Sequence, residues 1–230
     1  MAEFTSALIV PAAGMGTRMG YEMPKPFIPL NDRPAIYYTL SAFVTMPGLR
    51  QVVIPTRADM IAGVEQVVNQ ISWPENLQIQ VIEGGEERVD SVQIGLQKLH
   101  EHIELVVVHD AVRPLISSEV IRKTINKAAE SGAAIPATPC RDTLKKVSSD
   151  IIECTVDRSS LWNAQTPQCF RRDILEHGYQ MLEQSGGTVT DEAGLVEKYS
   201  EISIVQGDSY NLKLTYPEDV EVAELILKNR

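Results

Sequence analysis

The feature that most constrains this 230-residue chain is an alternation of short β-branched runs with longer helical stripes. The runs lie at Ala7 to Pro11, Gln51 to Thr56, Leu77 to Ile82, Leu105 to His109, Ala133 to Ala137 and Ile202 to Gln206. Several are apolar throughout, Leu105-Val106-Val107-Val108 above all, as a strand covered on both faces should be. Between them come helix patterns. Val89, Val92, Leu96 and Leu99 fall on one stripe. The box Thr215-x-x-Glu218, with Pro217, opens a last helix expected to bury Val222, Leu225 and Ile226. Such repetition predicts an α/β domain: a mostly parallel twisted sheet, right-handed crossovers and helices on both faces. Ligands of these sheets bind where the strands end. One domain over 1-230 is large enough to bury a core without a disulfide or metal staple.

One stretch breaks the alternation. From Arg141 to Arg158 there is no helical stripe, and Asp142 to Val147 and Ile151 to Val156 flank the turn Ser148-Ser149-Asp150. This reads as an inserted β-hairpin arm, polar enough to project, over about 140-159. The 21 Lys and Arg against 31 Asp and Glu give a net charge of −10, which argues against a nucleic-acid binder, since that needs a basic face. No apolar run approaches a membrane span, and Met-Ala-Glu-Phe-Thr-Ser has no secretory pattern, so a cytoplasmic protein is expected. Cys140, Cys154 and Cys169 form no C-x-x-C pair and read as reduced thiols.

Chemistry concentrates at the strand exits. After the first run comes Pro11-Ala12-Ala13-Gly14-Met15-Gly16-Thr17-Arg18-Met19-Gly20, a small-residue loop suited to phosphate. It is not the dinucleotide fingerprint, because Met19 stands where a third glycine belongs, and no G-K-[ST] follows to make a Walker loop. Lys25, between Pro24 and Pro26, is expected on a stiff extended arm outside any helix. Arg18 and Lys25 together point to a polyphosphate clamp, against the plainer reading of two solvated charges. Gly84-Gly85-Glu86-Glu87-Arg88, with Ser91 beyond it, reads equally as an anion-binding helix start or an ordinary turn. At His109-Asp110-Ala111-Val112-Arg113-Pro114, Asp110 suits a hydroxyl or hydrated Mg2+ and Arg113 a phosphate, or the two simply pair. His109 reads as a packing or hydrogen-bonding residue, not a general base.

Taken together, P-A-A-G-M-G-T-R-M-G with P-K-P, G-G-E-E-R-x-D-S, H-D-A-V-R-P, R-D-T-L-K, V-D-R-S-S-L-W-N-A-Q-T-P-Q, T-D-E-A and N-L-K-L-T-Y-P-E-D run in order from residue 11 to 219. In this the chain resembles the 2-C-methyl-D-erythritol 4-phosphate cytidylyltransferases of the non-mevalonate isoprenoid pathway. The related ribitol-5-phosphate enzymes tend to carry L-A-G-G in the first loop and lack the Leu161-Trp162 pair. The resemblance implies a Rossmann-like nucleotidyltransferase fold, Mg2+ as cofactor, and a homodimer made through the arm. It implies that Pro11, Ala12, Ala13, Gly14, Gly16, Gly85, Glu86, Arg88, Ser91, Asp110 and Ala111 hold CTP, with Asp110 by the metal. Arg18, Lys25 and Lys213 would stabilise charge on the reacting phosphates. Methylerythritol 4-phosphate would be held by Arg113, Thr166, Thr190 and Lys213, with Thr143 and Arg158 reaching over from a partner subunit. Two departures are visible: Pro26 where the family usually has glutamine, and Glu86 where it often has aspartate. A non-catalytic nucleotide binder on the same fold is disfavoured, because Arg18, Lys25, Asp110 and Lys213 are all present.

Overall fold

In the computed structural model the described residues are 4–14 and 23–229. In chain order the elements are β1 (Ser6–Ile9), β2 (Pro29–Leu30), β3 (Arg33–Pro34), α1 (Ala35–Ser41), β4 (Leu49–Thr56), α2 (Ile61–Val68), β5 (Gln78–Glu83), α3 (Arg88–Gln97), β6 (Leu105–Val108) and α4 (Ser118–Ser131). There follow β7 (Ala133–Pro139), β8 (Leu144–Ser148), β9 (Ile151–Val156), β10 (Trp162–Ala164), β11 (Gln168–Arg171), α5 (Arg172–Ser185), α6 (Ala193–Val196), β12 (Ser203–Gln206) and α7 (Pro217–Lys228).

All six expected runs are strands of one sheet, and β8 and β9 form the expected hairpin. Strands β5, β4, β1 and β6 lie side by side and parallel. Beyond β6 the sheet departs from simple winding. β11 runs antiparallel between β6 and β7, pairing Gln168 with Val108 and Cys169 with Ala134. β10 continues along the same edge of β7, while β12 pairs parallel with the other edge. Because β11 is reversed, its first residues lie at the rim where β6 ends. A reversed strand was not foreseen, since Gln-Cys-Phe-Arg after a proline carries no alternation to read.

Side chains alternate across the sheet and build two cores. Leu8 faces the layer formed by Ile36 and Leu40 of α1, Val64 of α2 and Ile121 and Ile125 of α4. Ala7 and Ile9 face Val92 and Leu96 of α3, Leu175 of α5 and Val196 of α6. Each fully buried branched aliphatic stabilises the fold by roughly 1.5–3 kcal/mol, so these two layers hold the strand exits rigid. At Gly95 an added Cβ would lie 2.9 Å from Ile9 Cγ2 and 3.2 Å from Pro55 Cγ, so only glycine lets α3 sit this close to the sheet. A third, smaller cluster of Ile28, Leu30, Val112, Leu115, Leu214 and Ala223 docks α7 beside β2.

Two sequence expectations for α7 need correction. The helix is capped by Asp219, whose Oδ2 accepts from the N–H groups of Thr215 (2.7 Å) and Tyr216 (2.8 Å), not by a box ending at Glu218. Val222 and Leu225 are 48% and 63% exposed, and the buried face centres on Ala223. The helix covers a small cluster instead of the main core, so a narrow stripe suffices. Lys25 is also not outside every helix, since Lys25–Phe27 form a single 3-10 turn. Pro26 is tolerated there because a first turn needs no N–H from it.

Candidate active site

Two adjoining cavities open at the rim of the sheet. The larger, of about 420 Å3, lies between the loop after β1 (Pro11 to Gly14) and the start of α3 (Glu86, Glu87, Arg88, Ser91). Lys25 and Pro26, Asp110 to Val112, and Lys213 complete its wall. The smaller, of about 160 Å3, is lined by Arg113, Thr166, Gln168, Thr190 and Asp191 among others. Arg88, Asp110 and Lys213 line both and form the wall between them.

That wall is a charge network. Asp110 follows β6 and is 6% exposed. Its Oδ1 accepts from Arg88 Nε at 3.0 Å, and its Oδ2 accepts from Arg113 Nε at 3.2 Å and pairs with Lys213 Nζ at 3.1 Å. Burial alone would raise the Asp110 carboxyl, but Arg88, Lys213 and Arg113 together outweigh it and hold it well below the usual carboxylate range. Arg88 continues to Glu192, its Nη1 lying 2.8 Å from both carboxylate oxygens. Burial disfavours the Arg88 charge, yet Glu192 and Asp110 more than compensate and raise its pKa. Burial raises the Glu192 carboxyl, and Arg88 offsets this only in part.

Local bonds fix the surrounding loops. The Ala12 N–H donates to Pro55 O at 2.8 Å and Ala12 O accepts from Thr56 Oγ1 at 3.3 Å, which pins the loop after β1 to the exit of β4. Beyond the undescribed part of that loop the chain returns, with Lys25 N–H donating to Gly14 O at 3.3 Å and Lys25 Nζ to Leu214 O at 3.4 Å. The turn before α3 is closed by Ser91, whose Oγ accepts from Gly85 N at 3.1 Å and donates to Glu87 O at 3.1 Å. A Cβ on Gly84 would lie 2.7 Å from Ser91 Oγ, so the tight turn requires that glycine. Thr166 is buried, its hydroxyl 2.9 Å from His109 Nδ1 and accepting from Asp110 N–H at 3.2 Å. His109 Nε2 lies 3.2 Å from Arg113 O, and burial pushes the imidazole down to about 3. It is a neutral, hydrogen-bonded bridge between Thr166 and Arg113.

The structure brings most of the expected residues together. Pro11, Ala12, Ala13, Gly14, Lys25, Glu86, Arg88, Ser91, Asp110, Ala111 and Lys213 line the larger cavity, and Arg113, Thr166 and Thr190 the smaller. Gly85 lines neither; a Cβ there would lie 2.3 Å from Asp90 Cβ, so it shapes the turn. Gly16 and Arg18 lie outside the described residues. Thr143 and Arg158 sit exposed on the arm and line neither cavity of their own chain. Sequence reasoning missed Glu192 and Gln168, both buried polar groups. The only available signal was their place inside the T-D-E-A and Q-T-P-Q blocks. Among the described residues, no group of three His, Cys, Asp or Glu could hold a metal ion.

The sequence profile of the family IspD, 2-C-methyl-D-erythritol 4-phosphate cytidylyltransferase, matches residues 6–229. A 2-C-methyl-D-erythritol 4-phosphate cytidylyltransferase of Bacillus cytotoxicus is 40% identical over 221 residues, 96% of either chain. One of Solibacter usitatus is 38% identical over 234 residues, spanning 96% of this chain and 95% of that one. The crystal structure of 4-diphosphocytidyl-2C-methyl-D-erythritol synthase from Anaerococcus prevotii superposes with a TM-score of 0.85 at 29% identity, covering 98% of this chain and 97% of the other. That of the Thermus thermophilus cytidylyltransferase gives 0.79 at 27% identity, covering 99% and 100%. On its sequence and its fold, the chain belongs to the 2-C-methyl-D-erythritol 4-phosphate cytidylyltransferase family.

Proposed function

We propose that this protein transfers CMP from CTP to 2-C-methyl-D-erythritol 4-phosphate, giving 4-diphosphocytidyl-2-C-methyl-D-erythritol and pyrophosphate. The observation that carries the reading is the pair of adjoining cavities with a cationic shared wall. CTP fits the larger, with its base toward the Gly84 to Ser91 turn and its phosphates toward Lys25, Arg88 and Lys213. The acceptor phosphate fits the smaller, against Arg113, Thr166 and Thr190. An acceptor phosphate oxygen then bonds to the α-phosphorus in line, the bond from that phosphorus to the bridging oxygen breaks, and pyrophosphate leaves. A phosphate dianion is already a nucleophile, so no general base is needed, and His109 with both nitrogens engaged offers none. Lys25 and Lys213, with Arg18, stabilise the charge that builds on the equatorial oxygens.

A divalent cation fits this site only as a passenger of the phosphates. Asp110 is a carboxylate on the shared wall, already engaged by three cations, and no side-chain cage surrounds it among the described residues. Mg2+ characteristically binds one or two carboxylates plus substrate phosphates, and Asp110 would be its protein ligand here. Bound so, it would neutralise charge on the leaving pyrophosphate.

We read the working form as a homodimer in which each arm covers the other subunit's acceptor cavity with Thr143 and Arg158. The arm leaves Val147, Ile151 and Ile152 53%, 71% and 60% exposed, apolar surface that a second copy would cover. A cytoplasmic location is in keeping with three unpaired cysteines and with no helix among the described residues long and apolar enough to cross a membrane. The test is pyrophosphate release with CTP and Mg2+, comparing methylerythritol 4-phosphate with ribitol 5-phosphate. Turnover with the first alone is expected. Turnover with ribitol 5-phosphate alone would overturn the acceptor, and release with neither despite CTP binding would leave a nucleotide binder.

A further inference from the structure

We propose that Glu192 is a positioning residue for this transfer: it fixes the Arg88 guanidinium at the junction of the two cavities and ties the acceptor-side loop to it, without itself touching substrate. The inference rests on the transfer reading above. Glu192 is wholly buried, and both its oxygens lie 2.8 Å from Arg88 Nη1. It lines neither cavity, whereas Arg88 lines both. A buried ion pair is seldom the most stable way to fill such a volume, and apolar residues of similar size often serve stability better. What the pair does supply is geometry. Arg88 is gripped from opposite sides, Nε by Asp110 at 3.0 Å and Nη1 by Glu192, so its plane cannot rotate freely. Its Nη2 is buried and finds no acceptor among the described residues, and a phosphate oxygen at the junction would satisfy it.

The second half of the argument is the backbone that carries Glu192. Thr190 and Asp191, its immediate neighbours, wall the acceptor cavity. Gln168 of β11 clamps this loop, its Nε2 donating to Asp191 Oδ2 at 2.7 Å and its Oε1 accepting from Ala193 N–H at 2.9 Å. Asp191 Oδ1 also accepts from Gly194 N–H at 3.1 Å. The Glu192–Arg88 pair therefore links the acceptor wall to the nucleotide-side arginine through two side chains. Losing the Glu192 charge would free Arg88 to turn wholly to Asp110 and would uncouple the two walls.

The experiment uses the full-length enzyme and four proteins: wild type, Glu192→Gln, Arg88→Met and the double variant. Glu192→Gln keeps the shape and one acceptor. It is expected to lower kcat by roughly 10- to 100-fold and to raise the acceptor KM several-fold more than it weakens CTP binding measured by calorimetry without acceptor. In the Arg88→Met background the same change should have no further effect on kcat, because Glu192 acts through Arg88. A purely structural role would instead weaken both substrates together and multiply with Arg88→Met. Wild-type turnover with a Glu192→Gln enzyme of equal kcat overturns the inference and leaves the transfer reading intact. No wild-type turnover overturns that reading first. Should Glu192→Gln fail to fold, Glu192→Asp keeps the charge but shortens the reach by one methylene, and a wild-type kcat in that variant refutes the positioning role.

Discussion

Replacing Asp110 with asparagine removes the single negative charge that holds Arg88, Arg113 and Lys213 together. The Arg88 and Arg113 contacts, at 3.0 and 3.2 Å, involve side chains only 25% and 12% exposed, so both pairs are largely desolvated. Lys213 is 44% exposed and its contact is screened, contributing under about 1 kcal/mol. Removing one partner from a buried pair costs about 3–5 kcal/mol. The asparagine oxygen keeps one hydrogen bond and Glu192 still balances Arg88, so the lower end, about 3 kcal/mol, is expected. For a chain of this size each kcal/mol moves Tm by roughly 2–4 °C, giving a fall of about 6–12 °C near pH 7.5. The pH dependence has a definite sign. Because the folded-state Asp110 carboxyl is held below its ordinary value, its stabilisation is complete above the unfolded value of about 3.9 and drains away as pH falls toward the folded one. Thermal unfolding at fixed protein concentration, from pH 7.5 down to about pH 3, should show the gap between wild type and Asp110→Asn narrowing below about pH 4. A gap under about 2 °C at pH 7.5, or one that does not change with acid, would refute the assignment of this stability to the ion network.

Three further outcomes are expected. Lys25→Ala should lower kcat at least about 100-fold while changing CTP affinity far less, as for loss of one transition-state donor; a near-normal kcat would remove Lys25 from the catalytic group. Thr166→Val keeps the volume but strips the partner from Asp110 N–H and His109 Nδ1, and should cost about 1–3 kcal/mol by denaturant titration, with unchanged m. A Thr166→Val enzyme as stable as wild type would show that the buried hydroxyl does not hold the rim. Mixing Lys25→Ala with Arg158→Ala subunits should restore about a quarter of wild-type activity, because half the dimers are mixed and each mixed dimer has one intact site. No recovery after exchange would place Arg158 in its own subunit's site or out of the chemistry.

The sequence made legible whatever depends on local pattern or covalent stiffness. Six runs of β-branched residues became strands of one sheet because burial on both faces demands continuous apolar side chains. The hairpin at 144–156 followed from two β-prone runs about a polar turn. The reversed strand β11 did not, because its place is set by ladder partners from 60 and 35 positions earlier in the chain, which leave no periodicity in four residues. Val222 and Leu225 misled for the opposite reason: a helical stripe marks a face, but what that face meets is decided elsewhere. At the site, Lys25, Asp110 and Arg113 could be nominated from a proline-bound loop and a strand exit, whereas Arg88 and Lys213 came only from the family resemblance. Which of them pair, and that Glu192 anchors one, needed the three-dimensional arrangement.

The reversal of β11 has a consequence for how such a protein can change over evolutionary time. The segment that leaves the rim at the end of β7 and comes back through β10 and β11 to Asp191 is one uninterrupted length of chain. It holds the arm, the Thr166 turn and the Thr190 wall. The residues proposed to cradle the nucleotide, apart from Lys213, all lie earlier, between Pro11 and Val112. Of the residues proposed to hold the acceptor, Thr143, Arg158, Thr166 and Thr190 thus lie on one cassette, with Arg113 and Lys213 supplied from outside it. The cassette can be exchanged or lengthened by recombination while the cytidine side keeps its register, so one ancestral CTP-using scaffold can be fitted to a succession of sugar phosphates.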